Sequence, residues 1–143
     1  MDSLTIFGLQ LTFSLVVWGL IAKWVVVPWL ATQSHHQVLF WLTLPHAFRH
    51  IGMVFLVPGV VVQGLPDSFA IPTAYGDLLS AFLAVFALVA LRAGRTWSLL
   101  LVWVFNIVGT VDLTLALSHA DAVPYLGASW YIPTIWVPLL LVS

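Results

Sequence analysis

With 143 residues, of which 62% are hydrophobic and only 6% charged, the chain has too few charges for the surface of an ordinary soluble domain, where roughly 25% of residues are charged. A net charge of −1 without any Lys/Arg cluster gives no sign of nucleic-acid binding or of tight docking to anionic lipid. The lack of cysteine excludes disulfides, thiolate metal sites, cysteine nucleophiles and Cys-ligated iron–sulfur clusters.

The mean hydropathy is +1.11, and the apolar residues fall in separate blocks, each near the roughly 20 residues that cross a hydrocarbon core. The predicted fold is therefore all-α, a polytopic transmembrane bundle of about five spans forming one integral membrane domain over residues 1–143. The first span covers about 4–30, with Lys23 and Pro28 toward its far end. Its start, MDSLTIFG, has Asp2 and no basic segment, so it reads as a retained span and not a signal peptide. A polar connector, Thr32 to Gln37, precedes a second span over about 38–62 that contains Pro45, His46, Arg49, His50 and Pro58.

Gln63-Gly64-Leu65-Pro66-Asp67 closes that span. The third runs over about 74–91, with Asp77 near its start, and ends at Arg92-Ala93-Gly94-Arg95. On it Ser80, Ala84 and Ala87 share a face with Asp77, a small-residue spacing that lets helices approach closely. The fourth, about 97–118, carries Asn106, Gly109, Thr110 and Asp112. After His119, Asp121 and a loop with Pro124 and Gly127, a fifth covers 130–143 and is short, which reads as a truncated span.

Lys23, Arg92 and Arg95 lie at or near two connectors that alternating spans place on one side, and Asp2, Asp67 and Asp121 lie on the other. The positive-inside rule makes the first side cytoplasmic and puts the N-terminus outside. Trp24, Trp29, Trp97, Trp130, Tyr125 and Tyr131 sit near span ends, where aromatic rings anchor in the headgroup region.

The residues that carry chemistry are concentrated in Pro45-His46-Ala47-Phe48-Arg49-His50, because an ionisable side chain within a span is costly and functional by default. At about 100° per residue, His46, Arg49 and His50 project within one arc, with Thr43 and His35 near the same face. Arg49 stays protonated and needs a counter-charge. Asp112, at a similar depth in the fourth span, is the first candidate and Asp77 the second. His119 shares a face with Asp112, whereas Asn106 is about 120° around that helix. The predicted ligand-binding or proton-linked set is His46, Arg49, His50, Asp77 and Asp112, with Thr43, Asn106 and His119 as accessory positions. A purely structural role, in which these groups fix helix register, is the competing reading.

Three functions fit such a set. The first is binding or transport of a small ligand, ion or proton, in which Arg49 supplies fixed charge and the histidines titrate; a repeat-free bundle of this size then calls for a homo-oligomer. The second is a membrane enzyme acting on an apolar or lipid-like substrate, with histidine as acid or base. The third is a haem or metal protein using His46 and His50, although no second span offers a histidine at matching depth, so the expected cofactor is none. Expected partners are membrane lipid and a small-molecule ligand.

The stretches FLVPGVV (55–61), AYGDLLSA (74–81), VFNIVGTVDL (104–113) and YIPTIWVPLLLV (131–142) resemble a family of small bacterial inner-membrane proteins to which no activity is attached. The resemblance implies a multi-pass protein of the bacterial inner membrane and a family pattern that includes Arg49, Asp77 and Asp112. It also implies a fifth span that continues further than 143.

Overall fold

Asp2 opens the first helix by accepting a hydrogen bond from the Thr5 amide at 2.7 Å, satisfying one of the donors that a helix start leaves free. The structure, a computed structural model, describes residues 2–143. Helix α1 spans Ser3–Leu30 and widens into a π turn over Ala22–Val26, just before Pro28. A proline has no N–H and crowds the carbonyl four residues back, and the wider turn makes room for it. Helix α2 spans His35–Leu56, α3 Asp67–Arg92, α4 Ser98–Leu117 and α5 Gly127–Val142. A second π turn, Ile132–Trp136, stands before Pro138 in α5.

The first four helices are long and apolar enough to cross a membrane, and α5 is shorter. Among the described residues no strand forms. Three boundaries differ most from the sequence reading. Helix α2 ends at Leu56, where Val57 turns to extended backbone, so Pro58 and residues 57–62 are connector and not span. Helix α2 begins at His35 because Ser34 and Gln37 form a capping box, with the Ser34 amide donating to Gln37 Oε1 at 3.0 Å. His35, His36 and Gln37 are thus its first turn and not connector. Helix α3 begins at Asp67, directly after Pro66, and carries Pro72 inside it; a single lost donor near a helix start does not break a helix so heavily packed.

Helix α3 is central. Its small residues Ala74, Ser80, Ala84 and Ala87 are fully buried, which brings α2 and α4 close on either side. Two apolar clusters hold the bundle at its ends. At the end bearing Arg92 and Arg95, Leu39 and Phe40 of α2 pack against Ala87, Leu91 and Val102. At the end bearing Asp67 and Asp121, Phe55, Phe69, Ala70, Ala122, Leu126 and Ile132 form the larger cluster. There the connectors are tied by Val62 N–H to the Tyr125 carbonyl at 2.9 Å and Ala128 N–H to the Val60 carbonyl at 2.8 Å. Gly127 allows this, since its φ is +53° and a β-carbon would stand 2.7 Å from the Val60 carbonyl oxygen.

Helix α1 contributes no buried residue. It lies along α5 through Trp18, whose indole donates to the Ile135 carbonyl at 3.1 Å, and through Trp130, whose indole donates to Gln10.

Candidate functional site

Helix α2 is α-helical only to Thr43, and over Leu44–Leu56 it is a 3₁₀ helix. Such runs rarely exceed three or four residues. This one starts at Leu44, directly before Pro45, whose missing N–H interrupts the α ladder. Its geometry has two consequences. At about 2.0 Å rise per residue, the 22-residue α2 reaches about 40 Å, close to the 26-residue α3, where a plain α-helix would reach about 33 Å. The side-chain period also becomes three. Thr43, His46, Arg49, Gly52 and Phe55 are all buried, and they form one stripe facing the bundle.

His50 therefore leaves the site. The 100° spacing of an α-helix places it beside His46, but three residues per turn carry it about 120° away. It is exposed, with Nδ1 3.0 Å from the Ala47 carbonyl of its own helix. His46 and His50 consequently do not form an i, i+4 chelating pair. Among the described residues no group of three or more His, Asp or Glu side chains is disposed to hold a metal ion.

Arg49, 1% exposed, makes three contacts. Its Nε donates to Asp77 Oδ1 at 2.8 Å, Nη1 to the Gly109 carbonyl at 3.1 Å, and Nη2 to Asp112 Oδ2. One guanidinium thus joins α2, α3 and α4. Each charged side chain also rests on a glycine of another helix. A β-carbon at Gly52 of α2 would strike Asp77 of α3, one at Gly76 of α3 would strike Asp112 of α4, and one at Gly109 of α4 would stand 2.7 Å from Arg49 Nη1 of α2. The three seats close a cycle. Removing charges from water costs several kcal/mol per ion, and only well-directed hydrogen bonds offset it; the glycines permit the approach that makes those bonds.

The cluster is not charge-balanced. Two carboxylates meet one guanidinium, Asp77 at its Nε and Asp112 at its Nη2. Cavities adjoin it on different sides. Asp77 lines one of about 100 Å³ with Thr73 and His119. Asp112 lines a groove of about 460 Å³ between α3 and α4, also reaching His119. Arg49 and His46 line a more polar one of about 240 Å³ with Asn106, Thr110 and Ser143.

His46 packs its ring on Phe105, centroids 4.8 Å apart, and its Nε2 is 3.1 Å from Ser143 Oγ. Its Nδ1 is buried without a partner. Thr43 is buried one turn before it. Asn106 joins the His46 cavity although helix angle alone sets it apart from Asp112, and its amide donates to the Val102 carbonyl at 2.8 Å. His119 lies beyond the end of α4, 3.6 Å from Asp121, and touches no member of the Arg49 cluster. Gly52, Gly76, Phe105 and Ser143 were not evident as site residues from sequence. The one signal for the glycines is their position, Gly52 one 3₁₀ turn after Arg49 and Gly76 immediately before Asp77.

A family model described as a domain of unknown function (DUF8737) matches residues 6–143. No curated protein and no solved structure matches the chain.

Proposed function

We propose that this chain, which belongs to the DUF8737 family, is a multi-pass protein of the bacterial inner membrane that binds a small ligand, ion or proton at the Arg49–Asp77–Asp112 site and passes it across the bilayer. Support for the membrane comes from the outer surface. Phe13, Trp24, Leu100 and Trp103 are each more than 60% exposed, and an apolar surface of this extent needs covering; lipid covers α1, which has no buried residue. Lys23, Arg92 and Arg95 toward one end, with Asp2, Asp67 and Asp121 toward the other, favour an outside N-terminus. Because the chain lacks cysteine, Gln33→Cys and Asp121→Cys offer clean labelling positions. A membrane-impermeant thiol reagent applied to whole cells is expected to reach only Asp121→Cys.

The observation that carries the functional reading is a buried guanidinium holding two carboxylates beside polar and apolar cavities. One salt bridge would suffice to fix helix register, and a second carboxylate with adjoining space suits a site that takes up something from outside. The test is native mass spectrometry of the purified protein together with flux across proteoliposomes. A bound mass or a flux present in the wild type and lost in a folded Arg49→Lys variant is expected. Neither signal in the wild type, or both unchanged in Arg49→Lys, would overturn the reading and leave the cluster as a structural clamp.

A further inference from the structure

We infer that the ligand of this site is a proton, shared between Asp77 and Asp112, and that Arg49 separates an outer route to it, past His119, from an inner route walled by His46. The inference rests on the site reading above and names the species that the site takes.

Charge is the first ground. The ionisable groups that face the cluster are few. Helix α2 offers Arg49 and His46, α3 offers Asp77, α4 offers Asp112, and the connector after α4 offers His119 at the far wall of the adjoining cavities. Helix α1 brings Leu4 and Phe7 to these walls, and α5 brings Ile132, Pro133, Val137, Leu140 and Leu141, with Ser143 directly after it, none of them a charged side chain. With both carboxylates ionised, the cluster is left with one uncompensated negative charge in a low-dielectric bundle. Two carboxylates sharing a site do not both ionise readily, and one proton between them restores neutrality.

Geometry is the second and independent ground. Asp77 and Asp112 line the cavities that reach His119, and neither lines the His46 cavity. Arg49 does the reverse, lining the His46 cavity and neither of the others. The guanidinium, with Leu113 and Leu117, which line both the Asp77 and the His46 cavities, is therefore the partition. On its inner side, His46 is nine-tenths buried, keeps Nδ1 without a partner and lines a cavity of about 240 Å³, a space with room for several waters and with Asn106 and Thr110 to hold them.

The proton balance is simple. A proton arriving from outer water forms an O–H bond on one carboxylate, which then no longer attracts Arg49 as an ion. The loosened guanidinium turns toward the inner cavity, and the O–H bond breaks as the proton passes to water held by His46. No oxidant, reductant or further reactant is needed.

The test is infrared spectroscopy of the whole protein in lipid, reading the carbonyl stretch that only a protonated carboxylic acid gives. The expected result at neutral pH is one such band that shifts in heavy water and is lost in Asp77→Asn and in Asp112→Asn. A wild-type spectrum without this band from mildly acidic to mildly alkaline pH overturns the proton assignment. If native mass spectrometry then finds a molecule whose binding needs Arg49, the site reading stands while the proton inference falls. The routes are tested in vesicles enclosing a pH-sensitive dye, where loss of proton entry in His46→Phe, with the infrared band retained, is expected; unchanged entry overturns the inner route.

Discussion

The Arg49 guanidinium lies directly against the backbone of Gly109, donating to its carbonyl at 3.1 Å and leaving only 2.7 Å between Nη1 and the place where a β-carbon would stand. The guanidinium cannot simply swing aside, because its other nitrogens are held by Asp77 and Asp112. Gly109→Ala is therefore expected to destabilise the protein by about 1–3 kcal/mol through overpacking. Gly8→Ala, on α1 where nothing lies within 4 Å, is expected to be neutral or slightly stabilising, since alanine favours a helix by about 1 kcal/mol over glycine. Thermal unfolding in detergent separates them, and equal melting temperatures would refute the seat.

The seats should show themselves as coupling. Gly76→Ala pushes a methyl into Asp112, whereas Asp112→Ala empties that space. A double-mutant cycle is expected to give an interaction of about 1–2 kcal/mol, with the double variant more stable than the single effects predict. Simple additivity would mean that Gly76 and Asp112 do not meet.

The unequal charge count predicts an unequal response to charge removal. Arg49→Ala leaves two buried carboxylates without a counter-charge and should cost about 3–5 kcal/mol. Asp112→Asn leaves one carboxylate with one guanidinium and keeps the side-chain volume, so its cost should fall below about 1 kcal/mol. Equal losses in chemical unfolding would show that both carboxylates are needed as ions.

The period of α2 can be read from its two histidines. His46→Ala removes a ring stacked on Phe105 and bonded toward Ser143, with an expected cost of roughly 2 kcal/mol. His50→Ala alters an exposed side chain and should stay within about 0.5 kcal/mol. Comparable losses at the two positions would indicate that this segment is α-helical and not 3₁₀.

A pH effect is expected at the start of α1. The Thr5 amide bond holds the Asp2 carboxyl below its ordinary value. A carboxyl lowered in the folded state stabilises above its unfolded value, and that contribution is lost as pH falls through the lower, folded one. The protection of the Thr5 amide against hydrogen exchange, taken relative to an unstructured peptide at the same pH, should thus be present at neutral pH and lost in acid, while Asp2→Ala shows little protection throughout. Wild-type protection that does not change with pH would argue against the cap.

Much of the site was legible in the sequence. Arg49, Asp77 and Asp112 are charges inside apolar blocks, and counting helix rises from the connectors brings Arg49 and Asp112 to similar depth, because a bundle of rods converts sequence distance into depth. Asp77, read near the outer end of a span over 74–91, comes to that depth only because α3 begins at Asp67. What that count could not reach was azimuth. Whether His50 joins His46 depends on the rise and twist of α2, and the 3₁₀ form goes with Pro45 and with the packing of every third residue into the bundle, chiefly against α3.

By itself, the sequence determined the helical class, the number of apolar blocks and the identity of the few charges among them, since hydropathy and length act along the chain and need no neighbours. Tertiary structure alone decided which end of each charged side chain meets which partner. It also decided that Gly52, Gly76 and Gly109 are the seats that admit them. The physical reason is that a missing β-carbon has no property of its own, and it becomes a recess only when another helix brings a charged group to the same height.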